Sequence, residues 1–182
     1  RRGAITFEGQ TITYKELGKR VDALAHGLRS LGVGPGDRIA VILPNCLEFA
    51  YAFFAPGALG AAMIPINPVS TQREMQHILA DCEASVIITE ARPMGNNVQA
   101  ILQAVRPSLP KLRHIVMRGE AMPGAISLTE LMRETDSFQP EQVAPEDLCA
   151  LIYTSGTTGT PKAVMQSHRS MIAPVRYGES TL

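Results

Sequence analysis

Two stretches constrain the chain before anything else does. Residues 38–43 read R-I-A-V-I-L and residues 85–89 read S-V-I-I-T. A strand with one face in water alternates apolar and polar side chains. An uninterrupted, β-branched apolar run has no face to offer water, so it belongs in a sheet covered on both sides. Further strand-like runs lie at 61–66, 114–117 and 148–153. Helix signals fall between them. Thr13-x-x-Glu16 is a capping-box pattern, Asn45-x-x-Glu48 can cap a helix, and Thr71-x-x-Glu74 and Ser127-x-x-Glu130 open further helices. Leu17, Val21, Leu24, Leu28 and Leu31 recur at helical spacing and Gly32 can end that helix; Met75, Ile78, Leu79 and Cys82 form a second stripe, and Val98, Ile101, Leu102 and Val105 a third. Residues 4–13 read as a hairpin around Glu8-Gly9. Residues 137–147, polar with two prolines, read as a linker. The expected fold class is α/β: a largely parallel sheet with helices on both faces, plus a short N-terminal hairpin.

Residues 49–72 carry no charge, and 49–66 approach the length of a membrane span. Pro56, Gly57, Gly60 and Pro65 interrupt them, so they read as a buried helix, a turn and a buried strand rather than a transmembrane segment. Lys+Arg and Asp+Glu each number 17, so no net charge marks a nucleic-acid or membrane-surface partner. A small-molecule substrate fits better. Cys46, Cys82 and Cys149 are odd in number and widely spaced, which points to buried thiols in a reducing, cytoplasmic setting rather than to disulfides or zinc. There is no initiator Met, and the last residues follow directly on an apolar run. Both ends are expected to be cuts, and the chain to be the incomplete N-terminal portion of a larger multi-subdomain enzyme.

The chemistry concentrates at 151–168, L-I-Y-T-S-G-T-T-G-T-P-K-A-V-M-Q-S-H. Ligands of α/β sheets sit beyond the carboxyl ends of strands, and this loop follows one. Glycines allow successive N–H groups to converge on an anion, and the hydroxyls of Thr154, Ser155, Thr157, Thr158 and Thr160 add donors. Lys162 adds a compact cation suited to phosphate, and Pro161 limits how it is presented. The pattern is not G-x-x-x-x-G-K-[ST], and the apolar Ala163-Val164-Met165 reads as a strand, so the loop is expected to join two strands with no helix dipole behind it. The nucleophile elbow G-x-S-x-G is absent. A plain Gly/Thr hairpin turn is the competing reading. His168 is read as a helix-start residue near solvent with Ser167 as cap, and His26, His77 and His114 carry no assigned chemistry.

Residues 153–162, Y-T-S-G-T-T-G-T-P-K, resemble the phosphate-binding signature of the adenylate-forming (AMP-binding) superfamily, which includes acyl-CoA synthetases, nonribosomal peptide synthetase adenylation domains and luciferase. Thr13-Tyr14-Lys15-Glu16-Leu17, G-D-R-I-A-V at 36–41 with L-P-N at 43–45, and A-A-M-I-P-I-N-P at 61–68 are similar to other parts of that family. The resemblance implies that residues 1–182 are the N-terminal part of an AMP-binding domain, with its phosphate loop at 153–163 and the C-terminal subdomains absent.

The implied activity is ATP-dependent activation of a carboxylic acid to an acyl-adenylate, followed by transfer to the thiol of coenzyme A. A carrier-protein thiol as acceptor and a non-catalytic nucleotide-binding module are the alternatives. The resemblance implies that Thr154, Ser155, Gly156, Thr157, Thr158, Gly159 and Lys162 hold the ATP phosphates and that Thr154 contacts Mg²⁺. No catalytic residue is assigned, because the family's remaining motifs lie outside this stretch, and the piece alone is expected to be inactive and to self-associate. Two departures stand out. Ala163 replaces the family's usual glycine, and Pro56 interrupts a helix the family keeps unbroken. Were Ala163 required at positive φ, the side chain would cost about 1–2 kcal/mol.

Overall fold

A computed structural model describes residues 2–133, 138–154 and 160–179. The chain opens with the hairpin β1 (Gly3–Phe7) and β2 (Gln10–Thr13). Glu8 and Gly9 turn it at φ 49° and 79°, the paired positive angles of a tight hairpin turn that matches strand twist. The helix α1 (Tyr14–Ser30) begins with a formed capping box between Thr13 and Glu16. It ends where Val33 N–H reaches Leu28 and Gly32 N–H reaches Arg29, with Gly32 at φ 77°. That is the left-handed stop only glycine takes without strain.

The rest alternates as β3 (Arg38–Ile42), α2 (Leu47–Phe54), β4 (Ala62–Pro65), α3 (Gln72–Asp81), β5 (Val86–Glu90), α4 (Val98–Val105), β6 (His114–Arg118), β7 (Ile126–Ser127), α5 (Leu128–Leu131), β8 (Leu148–Thr154), β9 (Lys162–Ser167) and α6 (His168–Glu179). Among the described residues, seven strands form one sheet in the order β7-β6-β5-β3-β4-β8-β9. Every neighbouring pair is parallel except β8 and β9. The strands alternate between two cores. Ile39, Val41, Met63, Val86, Ile88 and Val116 pack with Leu24, Leu28 and Ala52 of α1 and α2. Ala40, Ile42, Ile64, Ile87, Ile115 and Leu151 pack on the other face with Met75, Leu79 and Leu102 of α3 and α4.

The uncharged stretch resolves as expected into α2, a single 3-10 turn at Gly57–Leu59 and β4, with Pro56 at the break. Among the described residues no helix is long and apolar enough to cross a membrane. One expected cap differs. Asn45 does not cap α2; the cap position is Cys46, without a side-chain bond. Glu48 lies 3.1 Å from Arg118, so its charge joins a cross-element ion pair with Arg118, which also binds Glu90 at 2.8 Å. The described part of the 137–147 linker has no helix or strand but is pinned to the body. Glu141 donates its N–H to Ala58 O and pairs with Arg29 at 2.8 Å, and Arg29 lies over the Phe138 ring.

Two glycines of α1 separate packing from propensity. A Cβ on Gly27 would sit 2.3 Å from the Leu131 carbonyl oxygen, whereas a Cβ on Gly18 meets nothing within 4 Å. Gly18→Ala is expected to stabilise by about 0.5–1 kcal/mol through helix propensity alone. Gly27→Ala should destabilise by about 1–3 kcal/mol, because the α1–α5 contact must open. Urea unfolding midpoints of the two variants, moving in opposite directions from the parent, check both.

Candidate active site

The site is built at the carboxyl end of β8. The antiparallel ladder of β8 and β9 runs in register through Ile152↔Val164 and Tyr153↔Ala163 to Thr154↔Lys162, where it opens into the loop. Thr154 and Lys162 thus face each other at the loop's base, both exposed. Ser155, Gly156, Thr157, Thr158 and Gly159 lie outside the described residues. The element after Lys162 is a strand, as the apolar run predicts, so no helix N-terminus stands directly behind the loop. Ala163 is a ladder residue, absent from the residues at positive φ, so the strain that a required positive φ would bring does not arise.

Both flanks of the loop are tied to one helix. The Tyr153 hydroxyl donates to Asp81 Oδ2 at 2.5 Å. His77 Nε2 lies 3.0 Å from the Pro161 carbonyl oxygen. A carbonyl only accepts, so Nε2 must carry the proton there. His77 and Asp81 are one turn apart on α3, on the margin of its buried stripe of Met75, Ile78 and Leu79. The capping box of Thr71 and Glu74 fixes where that helix starts. Burial, then the hydrogen bond to Asp81, pushes the Tyr153 phenol well above its usual range, so it stays a donor at any ordinary pH. In sequence His77 lies far from the loop, and nothing local gives it a role there. The fold overturns that distance, because the β4–α3–β5 crossover lays α3 on the sheet face that Leu151 and Tyr153 share. The available signal was two polar residues spaced one turn apart beside an apolar stripe.

On the same edge of the sheet, a groove of about 530 Å³ opens at the carboxyl ends of β3 and β4, lined in part by Leu43, Asn45, Phe49, Ile66 and Asn67. The thiols are poor nucleophiles. Burial raises Cys82 to about 11 and also lifts Cys46 and Cys149. His168 does begin α6, and Ser167 Oγ accepts from Ser170 N–H as a cap. It is not solvent-facing as expected, however. It is half-buried, with Cε1 3.3 Å from where a Gly57 Cβ would be and Nε2 enclosed without a partner.

Comparison with known proteins places this architecture. The model of the family described as "AMP-binding enzyme" matches residues 1–181. 4-Coumarate–CoA ligase 3 of Oryza sativa subsp. japonica is 36% identical over 92% of this chain and 29% of its own length. The long-chain-fatty-acid–CoA ligase of Thermus thermophilus is 34% identical over 92% of this chain and 30% of its own. The crystal structure of the anthranilate CoA ligase AuaEII in complex with anthranoyl-AMP superimposes with a TM-score of 0.88 at 28% identity, over 96% of this chain and 33% of that one. The chain therefore spans roughly a third of the length of these relatives, and it belongs to the AMP-binding enzyme family.

Proposed function

We propose that this chain is the phosphate-binding portion of an ATP-dependent acid–thiol ligase. The observation that carries the reading is the Gly/Ser/Thr loop at the carboxyl end of β8, with Lys162 locked opposite Thr154 at its base. In this reading Thr154, Ser155, Gly156, Thr157, Thr158, Gly159 and Lys162 hold the β- and γ-phosphates of ATP. A carboxylate oxygen of the substrate attacks the α-phosphorus, and the bond from the α-phosphorus to the bridging oxygen breaks. Pyrophosphate leaves with its charge countered by Lys162 and the loop's donors, while the acyl group stays on AMP. A thiol then attacks the acyl carbon and AMP departs. Relatives named as CoA ligases support coenzyme A as the thiol source.

The residues fit Mg²⁺ in a limited way. Thr154 offers one neutral, exposed hydroxyl, and among the described residues no group of three or more Asp, Glu, His or Cys converges. A magnesium ion here would rest mainly on phosphate oxygens and water, the usual habit of this ion, with Thr154 as its protein contact. Its contribution would be neutralisation of the polyphosphate. The chain's own contribution is Lys162 and the converging loop donors.

The test is ATP–pyrophosphate exchange by the full-length gene product against carboxylic acids from acetate to long-chain and aromatic. Exchange is expected with a subset of acids, to stop with EDTA and to return with Mg²⁺. Lys162→Ala should lower kcat/KM for ATP about a hundredfold, the scale of losing one charge-stabilising donor. Exchange indifferent to Lys162, or absent with every acid, would sink the reading.

Ala163→Gly offers a second check. Because Ala163 is a strand residue, restoring the family's glycine should leave kcat/KM for ATP within about twofold and lower stability slightly, since glycine weakens a strand. A large gain in exchange would mean that the glycine serves the loop directly.

A further inference from the structure

Four residues on α3 and around the loop make an arrangement that the phosphate reading does not use. The loop leaves the sheet after Tyr153-Thr154 and returns through Pro161-Lys162. One residue on each side is hydrogen-bonded to the same helix: Tyr153 to Asp81, and Pro161 to His77. The partners are 72 and 84 residues away in the chain, so neither bond is a by-product of the local turn.

The bonds are also unequal in kind. The first joins a side-chain hydroxyl to a carboxylate and fixes the departing strand. The second holds a backbone carbonyl, and in a residue that has no N–H of its own. Pro161 cannot donate to a neighbouring strand, so its carbonyl is the backbone handle that remains. α3 is itself anchored by the core through Met75, Ile78 and Leu79, and its first turn is fixed by the Thr71–Glu74 box.

We propose that His77 and Asp81 are positioning residues that staple the two flanks of the loop to α3 and so preset Thr154 and Lys162 toward the phosphates. The reading rests on the phosphate role proposed above. It predicts that the staple acts on ATP and pyrophosphate and leaves the acid substrate alone. It also predicts that a donor at position 77 matters more than an imidazole ring. A glutamine amide reaches about where Nε2 does, whereas phenylalanine keeps the ring and loses the donor.

The experiment compares His77→Phe, His77→Gln and Tyr153→Phe in the full-length enzyme by exchange kinetics, thermal melting and hydrogen–deuterium exchange of the amides at the start of β9. His77→Phe and Tyr153→Phe should each raise KM for ATP roughly three- to tenfold, the loss expected of one net hydrogen bond. KM for the acid and the Tm should hold, and the first amides of β9 should exchange faster. His77→Gln should restore both readouts. Unchanged KM for ATP with unchanged amide exchange would overturn the staple. So would a parallel loss in Tm and in both KM values, which would mark a merely structural role. Faster amide exchange in an enzyme that binds no Mg·ATP would overturn the phosphate reading and leave the staple standing.

Discussion

The burial of four consecutive residues of β3 governs the rest of the molecule. Ile39, Ala40, Val41 and Ile42 have no exposure at all, and the strand pairs with β4 on one side and β5 on the other. A strand in that position needs apolar cover on both faces and ladder partners at both edges, because an unpaired buried amide costs more than the strand can return. Parallel neighbours supply the partners, and parallel connection demands crossovers, which between β3, β4 and β5 are the helices α2 and α3. The two helix layers are thus consequences of one strand's composition. Even the polar residues nearby serve it: the buried Thr89 hydroxyl donates to the Ile42 carbonyl at 3.0 Å, at the strand's carboxyl end.

Parallel order has a second consequence. The carboxyl ends of β3, β4 and β8 open on one edge, so the groove at Leu43 and Asn67 and the loop after Thr154 are brought to the same side although they lie far apart in sequence. The reversal at β9 sharpens this. An antiparallel partner holds Thr154 and Lys162 across from each other by ladder register, so the base of the loop is set by the sheet. With Tyr153 and Pro161 also hydrogen-bonded to α3, the core that anchors this helix reaches both flanks of the loop.

Much of this was legible in the residues. Continuous apolar runs and capping signals are local, and they located most helix starts and every strand except the two-residue β7 to within a residue or two. Thr13 and Thr71 form capping boxes where helix starts are read; Asn45 does not cap, and Glu48 instead pairs with Arg118, a residue 70 positions on that no local pattern announces. The site divides in the same way. Thr154, Lys162 and the strand nature of Ala163 follow from contiguous sequence. His77 and Asp81 do not, since their role exists only once a crossover lays α3 against β8. His168 shows the converse: its place at a helix start was readable, but its burial against Gly57 depends on a turn more than 100 residues earlier.

The absence of glycine at position 163 clarifies what such a loop requires. Phosphate loops that open a helix draw on the macrodipole and on a glycine where the backbone must bend inward. Here the backbone beyond Lys162 is extended and paired, and Ala163 meets Tyr153 across the ladder with its side chain exposed. Ala163 therefore needs no positive φ, and the strain such an angle would bring does not arise. The positive charge at the base then comes from one lysine whose backbone is fixed by the ladder while its side chain extends into solvent. On the phosphate reading proposed above, a fixed stem with an exposed ammonium would let the cation follow charge from bound ATP to departing pyrophosphate without the strand moving.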